Sequence, residues 1–153
     1  MIIPDANVLI YAFRKEFPQH ERASEWLRGA LAGNEMIGLV VPVELAFLRL
    51  MTKPLGELPA ATWVMAWAFI EALGMAKNVR RIHAGPGHPV LFSGLCSGGG
   101  AGDGVTDHYI AALALETHAT LVSADKGFGL VPKLKWVNPF EANRAVESGK
   151  QNT

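Results

Sequence analysis

Four carboxylates in this chain stand where chemistry is easiest to build: Asp5, Glu44, Asp107 and Asp125. Asp5 ends the apolar run Ile2-Ile3-Pro4, and Asp125 follows Leu121-Val122-Ser123-Ala124. Glu44 comes just after the apolar segment Met36 to Val41, and Asp107 opens an apolar helical pattern after Thr106. Each has a plain structural use. Asp5 can cap a helix that begins at Ala6, Glu44 and Asp107 suit the positive end of a helix dipole, and Asp125 can open a turn with Lys126-Gly127. Together they mean more, because three of them follow apolar strands and so converge on one end of a sheet. Carboxylates about 5 Å apart repel by ~3 kcal/mol per pair at an effective dielectric of 20. Three or four of them therefore need a positive partner, and a hard divalent cation that takes oxygen ligands and keeps several waters, Mg²⁺ or Mn²⁺, answers that need.

The elements that must position these acids alternate between strand and helix. Ile2 to Pro4 predicts a first strand and Ala6 to about Phe13 a short helix. Glu21 to Leu31 predicts an amphipathic helix with Ala23, Trp26, Leu27 and Ala30 on one stripe. Met36 to Val41 reads as a second buried strand, with Pro42 in a first helical turn. The helix it opens carries Glu44, Leu45, Leu48 and Met51 until Lys53-Pro54 stops it. A further helix is expected from Leu58-Pro59 to about Leu73, with Trp63, Trp67 and Ile70 on one side. Val79 to Ile82, Thr120 to Ser123 and Leu134 to Val137 predict strands, Pro89 to Leu95 a short helix, and Thr106 to about His118 a longer one. Ala111 and Ala114 share the face of Asp107, so that helix can approach the sheet closely and carry its acid inward. Ser97 to Gly104 is a glycine-dense loop. Alternation of this kind implies an α/β fold with a mainly parallel sheet covered on both faces. One domain is expected over residues 1–143, followed by a polar, frayed tail over 144–153.

Composition narrows the function classes. With 153 residues, half of them hydrophobic, the chain can bury a core without disulfides and is not a disordered segment. Its 14 Lys and Arg balance 14 Asp and Glu, which excludes a strongly basic non-specific nucleic-acid binder while leaving room for a local basic strip. The single cysteine, Cys96, has no partner for an internal bridge and reads as packing. No secretory pattern is visible, and the apolar run Trp63 to Ile70 falls far short of the ~20 residues a membrane span needs. A cytoplasmic protein with no membrane partner is therefore expected.

Other candidate motifs are weaker. His83 and His88 flank Gly85-Pro86-Gly87 without the further ligands a zinc site needs and read as loop histidines. His108 points about 100° around the helix from Asp107. The glycine run lacks the Gly-Lys-Ser/Thr ending of a phosphate loop. Trp63, Trp67 and Phe69 have the spacing of core or dimer packing rather than of a base-stacking platform.

Several stretches resemble the PIN domain, and within it the VapC-like toxins of prokaryotic toxin–antitoxin pairs. They are Asp5-Ala6-Asn7-Val8-Leu9, Pro42-Val43-Glu44, Thr106-Asp107 followed by Ile110 to Ala114, Leu121 to Asp125 with Phe128, and Trp136-Val137-Asn138-Pro139. The similarity extends over about Met1 to Phe140 and is weak from Pro54 to Gly100. It implies a three-layer α/β/α PIN-like fold and a metal-dependent endoribonuclease. Its catalytic and metal-binding acids are Asp5, Glu44, Asp107 and Asp125, its cofactor is Mg²⁺ or Mn²⁺, and Asn7 and Ser123 support the carboxylates. It further implies a homodimer, a small VapB-like antitoxin in the cleft, and structured RNA such as tRNA or rRNA as substrate. Two positions depart from the pattern: Asp103 adds an acid where the family often has Asn, and Gly127 stands where an acid is common. Asp103 is either an extra ligand or, on the reading favoured here, a helix cap or loop residue.

These expectations combine into one scheme, in which the acids hold an ion that activates water for in-line attack on an RNA phosphodiester, with no covalent nucleophile. Asp5 and Asp125 are the first-choice ligands and Asp107 the next, while Glu44 is a ligand or a base acting through water. Arg14, Lys15, Arg49, Lys53 and Lys126 flank the acids and are candidate phosphate contacts. Two competing readings are a non-catalytic PIN-like binding module and a receiver-like phosphoacceptor domain. The second is disfavoured because the strand at Met36 to Val41 leads into Pro42-Val43-Glu44 rather than to a phosphoacceptor Asp.

Overall fold

The structure, a computed structural model, describes residues 1–98 and 104–141. Asp103 and the tail 144–153 lie outside the described residues. In chain order the elements begin with strand β1 (Ile2–Pro4), helices α1 (Ala6–Phe13) and α2 (His20–Ala32), strand β2 (Ile37–Val40) and helix α3 (Val41–Met51). Helix α4 (Trp63–Gly74), strand β3 (Val79–Ile82), helices α5 (His88–Ser97) and α6 (Val105–Glu116) and strand β4 (Thr120–Val122) follow. A 3-10 turn over Lys126–Leu130 and strand β5 (Lys135–Val137) complete the series.

The sheet has the order β3-β2-β1-β4-β5, and all its ladders are parallel. From β1 the chain steps to β2 and then β3 on one side, and afterwards crosses back to β4 and β5 on the other. Right-handed crossovers then place α1 to α4 on one face and α5 with α6 on the opposite face. The packing agrees, since α1 packs on α2 and α3, α3 on α4, and α5 on α6. This is the three-layer arrangement expected from the sequence. The point where the connections diverge lies between β1 and β4, and the crevice beyond their carboxyl ends is where such sheets bind ligands.

Residues buried on both faces explain the short apolar strands. Ile3, Leu39, Val40 and Leu121 are fully or almost fully buried, as parallel strands between two helix layers require. Under the α1 to α4 layer, Phe47 stacks on Phe69 at 5.2 Å and meets Phe13 edge-on at 5.4 Å. On the other face Ala111, Ala112 and Ala114 are buried, so α6 does lie close to its neighbours on the side that carries Asp107. On the edge strand β3, Arg80 and Arg81 are both exposed, but only Arg80 lacks an acidic side-chain partner among the described residues, whereas Arg81 reaches Glu44 and Glu71.

Three local expectations are revised. The helix expected to open at Leu58-Pro59 starts at Trp63, where the Thr62 hydroxyl accepts from the Met65 N–H at 3.2 Å. The residues before it make a small turn in which Leu55 and Leu58 pair. Leu45 is 61% exposed, because the buried stripe of α3 runs through Val43, Glu44, Phe47, Leu48 and Met51 instead. Trp63 and Trp67 stack on each other but are 57% and 43% exposed; the buried face of α4 is formed by Ala66, Ile70 and Leu73.

Candidate active site

Asp5 sits at the centre of the crevice because its backbone is still part of the sheet. Its N–H donates to the Val122 carbonyl at 2.9 Å, after which the chain turns at once into α1. The side chain both caps that helix and joins a polar network. Oδ1 accepts from the Ala6 N–H at 2.7 Å, while Oδ2 accepts from the Ser123 hydroxyl and from Asn7 Nδ2, each at 2.7 Å. The capping role expected from the sequence is thus held by one oxygen of the carboxylate, while the other joins the network with Ser123 and Asn7.

Asn7 and Ser123 lock each other as well as Asp5. Asn7 Nδ2 donates to Ser123 Oγ at 2.9 Å, and its Oδ1 accepts from the Ala124 N–H at 3.1 Å, so its carboxamide can face only one way. Ser123 Oγ also accepts from the Asp125 N–H at 3.0 Å, which fixes the backbone that presents Asp125. Asp125 Oδ1 accepts from the Gly127 N–H at 2.7 Å as the N-cap of the 3-10 turn. Two hydroxyl and amide side chains therefore connect the ends of β1 and β4 into one rigid unit.

Asp107 enters from the first turn of α6 and among the described residues receives no hydrogen bond. Its charge is felt all the same. Burial pushes its pKa up first, followed by the negative charges of Asp5 and Asp125, against a small opposing effect of His108. Burial also raises Asp5; the hydrogen bonds from Ser123, Ala6 and Asn7 offset part of this, and Asp125 adds to it. These three aspartates form one electrostatic group whose negative charge the fold leaves under-compensated. The signs are those that a bound cation would relieve.

Glu44 is placed differently. It is buried in the first turn of α3, and its Oε1 accepts from Arg81 Nε at 2.9 Å. Arg81 Nη2 continues to Glu71 Oε1 at 3.2 Å, and the hydrogen bond to Glu44 is the leading reason the Arg81 guanidinium holds its proton above the ordinary range. Nothing in the local pattern around Val79 to Ile82 marks Arg81, and the sequence reading missed it.

The candidate phosphate contacts separate in the same way. Lys15, Arg49 and Lys53 are exposed. Lys126 is exposed but pairs with Glu141 at 3.0 Å. Arg14 is only 9% exposed, and its Nη2 donates to the Pro59 carbonyl at 2.9 Å. Arg14 thus anchors the turn before α4, and its Nε lies 3.4 Å from Glu16 Oε2. Between α3 and α6, an apolar groove of about 430 Å³ is lined by Val41, Leu45, Phe92, Val105 and Tyr109, with Arg49 and Thr106, the neighbour of Asp107, also in its wall. His88 is buried, with its ring against Tyr109 and its Nε2 3.0 Å from the Tyr109 carbonyl, so it is a packing residue of α5 and α6.

The donor set suits a hard divalent ion, being carboxylate oxygens with free lone pairs backed by a hydroxyl and an amide. Among the described residues no three His, Cys, Asp or Glu side chains close around a single point. An ion held by one or two carboxylates with its remaining positions filled by water fits this spacing, and that is the usual habit of Mg²⁺.

A family model for the PIN domain matches residues 2–134. The chain belongs to the PIN-domain family. Among its PIN relatives, Ribonuclease VapC33 of Mycobacterium tuberculosis is 36% identical over 147 residues, covering 92% of this chain and 99% of that protein. Ribonuclease VapC37 of the same organism is 35% identical over 145 residues, with coverage of 91% and 97%. Among solved structures, VapBC2 from Rickettsia felis, bound to a DNA fragment from their promoter, superposes with a TM-score of 0.68 at 19% identity. That match covers 90% of this chain and 98% of the other. Mycobacterium tuberculosis VapC20, a sarcin–ricin loop cleaving toxin, gives a TM-score of 0.65 at 13% identity, covering 84% and 93%. At such identities the solved structures speak for the PIN fold alone, and they agree with the three layers described above. No helix among the described residues is long and apolar enough to cross a membrane.

Proposed function

We propose that this PIN-domain protein is a divalent-cation-dependent endoribonuclease, the toxin of a toxin–antitoxin pair, acting in the cytoplasm on structured RNA of the tRNA or rRNA class. The observation that carries this reading is the group Asp5, Asp107 and Asp125 at the carboxyl edge of the sheet, with Asp5 gripped by Asn7 and Ser123. The curated relatives named VapC ribonucleases support it.

In this reading Asp5 and Asp125 hold Mg²⁺ or Mn²⁺, and Asp107 completes the negative rim from α6. The bound ion supplies an activated water and neutralises charge on the scissile phosphate. The protein's own part is orientation. Ser123 and Asn7 keep the second oxygen of Asp5 from rotating, and the Ser123 bond to the Asp125 N–H keeps the two carboxylates in register. Burial of Asp5 excludes bulk water from that side and strengthens each charge interaction there.

The decisive assay incubates the purified protein with tRNA and rRNA in Mg²⁺ or Mn²⁺, with a parallel sample in EDTA. Cleavage in the first that is absent from the second supports the reading; cleavage unaffected by EDTA would remove the metal from it. Ser123→Ala is expected to lower the cleavage rate about 10–100-fold, as loss of groups that orient metal ligands does, and to lower stability by about 1–3 kcal/mol, because its buried hydroxyl serves Asp5, Asn7 and the Asp125 N–H. Lys15, Arg49 and Lys53 are the exposed cations assigned to the RNA backbone. If all three meet phosphates, log affinity should fall with log salt with a slope of about −2, at ~0.7 per contact for single strands. A flat response in a binding titration would exclude them.

Two partners belong to this reading, a second copy of the chain and a small VapB-like antitoxin. The exposed apolar side chains Val41, Leu45 and Val105 by the site, and Trp63, Val64 and Trp67 on α4, offer the surface such partners cover. Sedimentation of the isolated protein measures the first, and co-purification with a neighbouring gene's product the second.

A further inference from the structure

Among the described residues, Glu44 is the one member of the four acids that pairs with a cation: Arg81 Nε donates to its Oε1 at 2.9 Å. The pair uses a single oxygen. Glu44 Oε2 accepts no hydrogen bond among the described residues, yet it is not one of the buried polar atoms left without a partner, so it opens to solvent. Glu44 also stands at the same edge of the sheet as Asp5. Parallel pairing of β1 with β2 sets Ile2 opposite Ile37, which brings Asp5 level with Val40, and Glu44 follows in the first turn of the helix that Val40 caps. Arg81 reaches it from the other side of β2, where β3 sets it beside Leu39. Its Nη2 donates to Glu71 Oε1 on α4 at 3.2 Å, and a Cβ at Gly74 would stand 3.1 Å from Nη1, so the guanidinium is held between two carboxylates and the end of a helix.

We propose that Arg81 is a positioning residue for metal binding: by gripping Oε1 it fixes the Glu44 side chain, so that Oε2 is offered in one orientation at the edge where Asp5 stands. The inference rests on the metal-dependent reading given above and adds a residue to it. A glutamate has one more rotatable bond than an aspartate, and stilling it costs entropy that a bound ion must otherwise overcome. Asp5 and Asp125 are already fixed by hydrogen bonds to their oxygens, and Arg81 does the same for Glu44. Carboxylates that bind metals are commonly held by such outer partners. The positive charge of Arg81 works in the opposite direction, because it repels a second cation. Its side chain is 41% exposed, however, so water and salt weaken that repulsion while the hydrogen bond stays local. Orientation is therefore the larger effect, and it needs the planar fork of Arg rather than the point charge of Lys.

The test is a double-mutant cycle read by metal binding. Mg²⁺ is titrated into the full chain, and its dissociation constant is taken from the amide resonances of Ala6 and Gly127, which donate to Asp5 and Asp125. Arg81→Met and Arg81→Lys are both expected to weaken binding about tenfold, since both lose the fork. Glu44→Ala should weaken it by a similar factor, and adding Arg81→Met to Glu44→Ala should cost no more than about a further twofold, because the two act through one interaction. Thermal unfolding without metal checks each fold, and if Arg81→Met does not fold the cycle is run with Arg81→Lys. Unchanged or tighter Mg²⁺ binding by Arg81→Met would show that its charge outweighs its grip and overturn the inference. So would wild-type affinity in Glu44→Ala, or a full tenfold loss from Arg81→Met in the Glu44→Ala background, which marks packing that does not pass through Glu44. Each of these leaves Mg²⁺ binding by the wild type in place. Wild-type amides of Ala6 and Gly127 that ignore Mg²⁺ would instead take down the metal-dependent reading, and this inference with it.

Discussion

Asp5→Asn is expected to lower RNA cleavage by about 10³-fold, in the range seen when a preorganised charged or polar group at a reacting centre is removed. The substitution keeps the shape of the side chain and the acceptor for the Ala6 N–H. It removes the negative charge, and it sets an NH₂ where Oδ2 now accepts from Ser123 and Asn7. Two effects on stability then oppose each other, loss of an acceptor and release of a buried charge, so the damage falls on chemistry more than on folding. Single-turnover cleavage with saturating Mg²⁺ measures it, and wild-type turnover by the variant would end the proposed role of Asp5.

The same variant has a signature in pH. Asp5 and Asp107 both titrate above the ordinary carboxyl value of 3.8 in the folded chain. Between that value and the raised ones the native state binds more protons than the unfolded state, so stability falls as pH rises through the window. This is the reverse of a salt-bridged carboxylate. Urea unfolding in EDTA should therefore show a midpoint that declines from about pH 4 upward. Asp5→Asn should flatten that decline, and Mg²⁺ at neutral pH should restore the lost stability in the wild type.

Phe47→Ala carries the largest expected effect on the fold. Phe47 is fully buried, stacked on Phe69 and edge-on to Phe13, and it joins α1, α3 and α4 at one point. Truncating such a ring costs ~3–5 kcal/mol, a large part of the ~5–15 kcal/mol that holds a domain together. A fall in unfolding midpoint of roughly 10 °C follows for a chain of this size. A midpoint change of only a degree or two on calorimetry would show that the aromatic cluster is not the keystone of this layer.

What the sequence made legible is what is local. Ile2-Ile3-Pro4-Asp5 announces a strand that ends in an acid because the change from apolar to charged happens within a single step, and the strand and helix bounds there agree with the structure. The family resemblance implied that Asn7 and Ser123 support the carboxylates, and both side chains donate hydrogen bonds to Asp5 Oδ2. What stayed hidden depends on partners far along the chain. Arg81 lies 37 residues from Glu44, and no periodicity encodes their meeting. Arg14 looked like any cation near an acid until the Pro59 carbonyl, 45 residues away, claimed it. Trp63 and Trp67 carry the spacing of a buried stripe, yet burial of α4 is decided by Ala66 and Ile70, whose neighbours on α3 are set by the tertiary fold.

The place of β1 in the sheet also governs when this site can exist. Its flanking partner β4 leads directly into Ser123, which is 118 residues later in the chain than Asp5. During synthesis at ~5–20 residues per second, that gap corresponds to roughly 6–24 s. Through that interval Asp5 has emerged, while Ser123 and Asp125, needed to complete its carboxylate network, have not. The strand order thus makes the Asp5 network a late assembly: it closes only when nearly the whole chain, up to β4 and the residues just after it, has been made.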